Sequence, residues 1–168
     1  FRNRSESTVS FDVIPVVEYS HFDALKQFTN ADWVPQTMQS EAVYLAKTLI
    51  LRQFAFMHSD TRSNYFTGNR PADSFETDRK IFLGNNEYGS WSNPLSLQQS
   101  PLSNHEARRG DNIAAIVYPF RSLAPGESQT LITQLVQTDN GHTTASIPYY
   151  MEEKHVAAAF EELQHFWS

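Results

Sequence analysis

Cysteine is absent from this chain of 168 residues, so disulfides and thiolate metal sites are both excluded. The six histidines, at positions 21, 58, 105, 142, 155 and 165, are scattered without an H-E-x-x-H or comparable spacing, which leaves a metal centre unsupported. No apolar run reaches the roughly 18 to 20 residues that a membrane span needs, and no signal peptide opens the chain. A basic surplus is also lacking. The 13 Lys and Arg against 19 Asp and Glu give a formal charge of -6, the wrong sign for a polyanion partner, so nucleic acid is not expected. Neutral and cationic ligands remain. Nucleotide-binding grammar is missing too: "PGES" (125 to 128) is no phosphate loop, and "NNEYG" (85 to 89) lacks the Gly-rich spacing of a nucleotide cradle. The run His58, Ser59, Asp60 reads as a polar hairpin tip, because triad members meet through the fold and not as sequence neighbours.

The length suits one domain with a real hydrophobic core. "FDVIPVVEY" (11 to 19) mixes β-branched and aromatic residues and reads as a strand, with Pro15 marking an edge or a bulge. "LILRQFAFM" (49 to 57) reads as a largely buried strand, and "NYFTGN" (64 to 69) carries turn chemistry around a short aromatic core, so the two pair as a hairpin across "HSDTRS". "NIAAIVYPF" (112 to 120) and the alternating "LAPGESQTLITQLVQT" (123 to 138) are expected to form a second pair about the Pro-Gly turn. Residues 20 to 47 contain Pro35 and a Thr-Asn-Ala-Asp cluster that break any long helix, and read as a structured excursion. At the end, Val156, Phe160, Leu163 and Trp167 recur at spacings of four, three and four, as on one helix face, with Lys154 and His155 toward water. Strands first and a helix last, with no βαβ alternation, predict a mainly β protein: an antiparallel β-sandwich with long loops and a C-terminal helix. "FRNRSESTVS" opens without an initiator methionine and "EELQHFWS" stops inside a helix pattern, so both ends read as cut.

The run "SFETDRKIFLGNNEYGSWSNP" (74 to 94) does not fit the strand pattern. It combines Asp78, Arg79, Asn86, Glu87, Tyr88 and Trp91, with Asn86, Glu87 and Tyr88 between the turn-permitting Gly84 and Gly89, and Arg109 and Asp111 follow downstream. Planar amide, carboxylate and guanidinium groups hold sugar hydroxyls in pairs, and aromatic faces cover the apolar side of a sugar ring. The same groups also serve to brace long ordered loops, with Arg79 or Arg109 paired to Asp78, Glu87 or Asp111. Composition leaves both uses open.

The segments "KQFTNADWVPQTM" (26 to 38), "NYFTGN", "SFETDRKIFLGNNEYGSWSNPLSL" (74 to 97), "NHEARRGDNIAAI" (104 to 116) and "LAPGESQTLITQL" (123 to 135) resemble the N-terminal sandwich domain of inverting glycoside phosphorylases, glycoside hydrolase family 94, formerly glycosyltransferase family 36. Within the family the resemblance is closest to long members such as cellodextrin phosphorylase and 1,2-β-oligoglucan phosphorylase. It implies a supersandwich of the galactose-mutarotase type, with residues 1 to 150 as the later part of the sandwich and 151 to 168 as the start of a helical linker. The first strands of the sandwich are missing by this comparison.

The resemblance also implies a parent enzyme with an (α/α)-barrel catalytic domain, acting on β-gluco-oligosaccharide with inorganic phosphate as co-substrate. No cofactor or metal, a homodimer and a cytoplasmic setting go with it. The family's catalytic acid and phosphate-binding groups lie in the barrel, so no catalytic residue is assigned here and the chain alone is expected to be inactive. Glu87, Tyr88, Trp91, Arg109 and Asp111 are the candidates for the substrate rim, and Asp78, Arg79 and Asn86 for bracing the loop. The alternative is an independent carbohydrate-binding module or a purely structural sandwich.

Overall fold

The computed structural model describes residues 1–18, 38–55, 62–85, 90–99, 101–139 and 146–168. Eight strands occur among them: β1 Val9–Val13, β2 Val16–Glu18, β3 Met38–Leu45, β4 Thr48–Ala55, β5 Arg62–Gly68, β6 Ser74–Asp78, β7 Asn112–Leu123 and β8 Thr133–Asp139. Helix α1 spans Arg79–Leu83, α2 Ser146–Tyr149 and α3 Glu153–Trp167, and a 3-10 turn spans Leu95–Gln98.

The strands form two antiparallel sheets. In the first, β7 is central, with β1 and β2 on one side and β6 on the other. Val13 stands opposite Tyr118 and Val16 opposite Ala115, so one register runs straight through Ile14 and Pro15. Pro15 has no N–H to give, yet its carbonyl still accepts the Ile116 N–H at 3.4 Å. The proline thus interrupts an edge strand without derailing it, as its position on an edge permits. In the second sheet the order is β3, β4, β5, β8.

Period-two alternation explains how the sheets stack. Ala114, Ile116, Tyr118 and Phe120 of β7 point inward onto Leu49, Leu51 and Phe66 of the second sheet, with Phe75 of β6 joining them. The alternate residues Ile113, Ala115 and Val117 point outward beneath Phe82, Leu83 and Leu102, so α1 and the segment around residue 102 form an outer layer over the first sheet. On the far side, Ile147 of α2 covers Ile50 and Tyr65. The first sheet thus carries an outer layer, and the second is covered locally around Ile50 and Tyr65.

Several expectations change. Residues 38 to 45 of the supposed excursion form β3, fully paired from Met38 opposite Ala55 to Leu45 opposite Thr48; residues 20 to 37 lie outside the described residues. "NYFTG" of that run belongs to strand β5 and only Asn69 lies beyond it, and the strand does pair with β4 as a hairpin. Strands β7 and β8 do not pair with each other. After the turn at Gly126 the chain crosses to the other sheet, where β8 pairs with β5, because β7 already has partners along both edges. Within the supposed loop, 74 to 78 is strand β6. The C-terminal helix forms as its periodicity predicts, but His155 does not simply face water: its ring stacks on Tyr149 at 3.7 Å, and Nδ1 lies 2.7 Å from the Tyr149 carbonyl. Phe160, Leu163 and Trp167 remain exposed.

Candidate functional site

The run 74 to 94 builds the outer layer over β7, and a buried carboxylate holds its root. Glu76 sits mid-strand in β6, fully buried, facing the outer layer. One oxygen, Oε1, accepts the backbone N–H of Thr77 and of Asp78, both at 2.9 Å, and Oε2 accepts the Ser103 hydroxyl. A charge out of water is tolerated only when its lone pairs are satisfied, and three donors do that here. Thr77 Oγ1 donates to the His105 carbonyl and accepts the Ala107 N–H, each at 2.8 Å. Asn104, at φ 56, donates its N–H to the Phe75 carbonyl and accepts the Phe75 N–H on Oδ1, both at 2.9 Å. Asparagine suits this left-handed position, which few other side chains tolerate. Segment 103 to 107 is thereby laced along β6.

Next along the chain, Asp78 caps α1: Oδ1 accepts the N–H of Lys80 at 2.8 Å and of Ile81 at 3.0 Å. The helix ends at Gly84, at φ 69, where a β-carbon would fall 2.6 Å from Leu95 Cβ. Glycine alone fits there, and the close approach seats the 3-10 turn against α1.

Arg79 anchors the start of α1 in three directions. Its N–H donates to the Asp111 carbonyl at 3.0 Å, its Nε pairs with Glu18 at 2.7 Å, and its guanidinium lies 5.7 Å from the Trp91 ring centre. Trp91 also packs at 5.8 Å on buried Phe82 and stays 41% exposed. One side of the indole is thus supported from beneath while the rest meets solvent. Ile81 and Leu97 are exposed on the same layer, tied together where the Ser96 hydroxyl donates to the Ile81 carbonyl at 3.2 Å. The result is a small aromatic and aliphatic surface with the Arg79–Glu18 ion pair beside it.

Asp78, Arg79, Trp91 and Asp111 therefore belong to one neighbourhood, and Arg109 is exposed on the turn that leads into Asp111. The ion pair of Arg79 goes to Glu18, which sequence reasoning did not single out, and not to Asp78 or Asp111. Asn86, Glu87 and Tyr88 lie outside the described residues, as does the His58 to Asp60 run. Glu76 and Ser103 were missed because a carboxylate inside an alternating "SFETD" looks like a solvent-facing strand residue. Asn112 was missed as well: it accepts the Ser40 hydroxyl at 2.5 Å and donates to the Gly110 carbonyl at 2.7 Å, joining the turn to β3.

Among the described residues no group of three or more His, Asp or Glu is placed to hold a metal ion, and no helix is long and apolar enough to cross a membrane. An open depression lined by Arg2, Asn3, Arg4, Ser5 and Gly126 lies away from this layer. Its one buried side chain, Asn3, is consumed internally by Ser5, Ser7 and Leu123.

A comparison with curated proteins returns no match. The sequence profile of the family described as Glycosyl hydrolase 94, supersandwich domain, matches residues 1–152. That span takes in both sheets, the outer layer with Asp78, Arg79 and Trp91, and α2, and the chain accordingly belongs to the glycosyl hydrolase 94 supersandwich-domain family.

Proposed function

We propose that this chain is the non-catalytic sandwich of a glycoside phosphorylase that reversibly phosphorolyses β-linked gluco-oligosaccharides to a sugar 1-phosphate. In that reaction inorganic phosphate attacks the anomeric carbon while a carboxylic acid of the catalytic barrel protonates the departing sugar oxygen. A single displacement inverts the configuration. The sandwich braces the barrel, shapes the rim of its pocket and pairs with a second copy. Its net negative charge suits a neutral glucan.

The observation that supports a rim role is Trp91, held half-exposed between Phe82 and the guanidinium of Arg79. A supported indole with an open face is the form in which proteins stack on the C–H side of a sugar or seat an adjoining domain. In the full-length enzyme, Trp91→Ala is expected to remove about 1 kcal/mol of stacking and raise the oligosaccharide KM about fivefold, with the phosphate KM unmoved. A fall in melting temperature with both KM values unchanged would assign Trp91 to bracing alone. No change in either would remove it from the function. The purified chain itself is expected to release no glucose 1-phosphate from cellodextrins or β-1,2-glucans; release would overturn the non-catalytic reading.

A further inference from the structure

Trp91 has two neighbours that orient it, and only one of them is fixed by burial. Phe82 is 1% exposed and locked into the packed outer layer, whereas the Arg79 guanidinium ends a flexible stem whose side chain is 35% exposed. The guanidinium needs a second anchor to stay beside the indole. Asp78 has its Oδ1 engaged with the N–H groups of Lys80 and Ile81, and Asp111 offers Arg79 a backbone carbonyl for its N–H. Among the described residues the one acid paired with the guanidinium is Glu18, whose Oε1 accepts Nε–H at 2.7 Å. Glu18 closes β2 on the edge of the first sheet, opposite Ile113 of the central strand. An acid, a guanidinium and an indole thus follow one another from the sheet edge to the outer layer.

We propose that Glu18 is a positioning residue for Trp91, acting through Arg79, so that the rim's affinity for an uncharged glucan depends on ionic strength. This rests on the reading above that Trp91 stacks on sugar at the pocket rim. With its side chain 54% exposed, Glu18 forms an ion pair of the surface kind, which contributes little to global stability. Its effect is local. Paired, the guanidinium stays 5.7 Å from the indole ring centre and limits the rotations open to the ring. Unpaired, the arginine regains its rotamers and the ring loses a fixed neighbour. The sugar then has to order the ring as it binds, which weakens binding and leaves the bond-breaking chemistry untouched. Salt acts in the same direction, because the screening length shrinks from roughly 30 Å at 0.01 M to about 3 Å at 1 M, the scale of the pair itself.

The test uses the full-length enzyme, with oligosaccharide varied at saturating phosphate and the reverse. Glu18→Ala is expected to raise the oligosaccharide KM about twofold at low salt, with kcat, the phosphate KM and the melting temperature unmoved. Glu18→Gln keeps an oxygen for Nε–H and should recover most of the loss. The wild-type oligosaccharide KM should climb about twofold between ~0.01 and ~1 M salt, while that of Glu18→Ala stays level. In a Trp91→Ala background Glu18→Ala should add nothing, because the two act in series. Glu41 supplies the control. It pairs with Arg52 at 2.8 Å, and Arg52 lies 4.6 Å from the Phe54 ring, the same arrangement on the other sheet, so Glu41→Ala should leave both KM values alone. If Trp91→Ala raises the oligosaccharide KM while Glu18→Ala does not, or does so equally without the indole, the positioning role is wrong and the rim reading stands. An oligosaccharide KM unmoved by Trp91→Ala overturns both.

Discussion

The phenol oxygen of Tyr118 lies 2.6 Å from where a β-carbon on Gly68 would stand, and its ring carbon Cζ lies 2.7 Å away. The two residues are on opposite sheets, so this contact sets how closely β5 and β7 approach. Gly68→Ala is expected to cost about 2 to 3 kcal/mol, as overpacking in a dense core does. Tyr118→Phe removes the nearer atom and should return part of that loss. Urea denaturation of both single variants and the double variant checks the coupling; additive effects would show that Gly68 tolerates a methyl by some other movement.

The same phenol predicts alkaline behaviour. Tyr118 is wholly buried, its oxygen has no hydrogen-bond partner among the described residues, and burial pushes its ionisation well above the usual tyrosine range. The folded state therefore keeps a proton that the unfolded chain loses near pH ~10. Stability from this group is complete below that pH and falls as pH rises, by up to about 1.4 kcal/mol per unit. Tyr118→Phe should flatten the alkaline limb of the stability curve relative to wild type. Parallel curves above pH ~10 would refute it.

Glu76 should separate charge from hydrogen bonding. In Glu76→Ala the buried N–H of Thr77 and the part-buried N–H of Asp78 lose their acceptor, with an expected cost of about 3 kcal/mol. In Glu76→Gln the amide oxygen still accepts both, and the Ser103 hydroxyl can turn to accept from Nε2, so the cost should stay near or below ~1.5 kcal/mol. Chemical denaturation distinguishes them, and equal losses would mean that the negative charge itself is required.

Ala46 opens the two-residue turn between β3 and β4 at φ 55, a left-handed conformation in which a β-carbon crowds the backbone. Ala46→Gly should raise stability by about 1 kcal/mol, visible as a higher thermal midpoint. A lower midpoint would mean that the flexibility glycine adds to the unfolded chain outweighs the strain it relieves.

Local pattern made much of this fold readable, and its failures share a cause. The 3.6-residue recurrence from Val156 to Trp167 gave α3, and the β-branched and aromatic runs gave β4 and most of β7. Pairing order was not readable, because nothing within "NIAAIVYPF" records that its partners are Phe11 and Phe75 and not the strand that follows it. Strand β3 was hidden by Glu41, Ala42 and Leu45, good helix formers overruled by pairing with β4. At the outer layer, Asp78, Arg79 and Trp91 stood out by residue type, whereas Glu76 and Glu18 matter through their surroundings. Burial and a distant partner are tertiary facts.

The unbroken register through Pro15 also bears on the protein's synthesis. Val13 and its partner Tyr118 are separated by roughly a hundred residues of chain, while β3 and β4 meet across a two-residue turn. At ribosomal speeds of about 5–20 residues per second, the N-terminal strand waits on the order of 5–20 s for β7 to be made. During that interval Phe11, Val13 and Val17 have no sheet to cover them, and the local hairpin of β3 and β4 can close first. The duration of that vulnerable period is set by translation and not by strand pairing, so slowing elongation between residues 18 and 112 should increase co-translational aggregation, whereas slowing it after residue 123 should not.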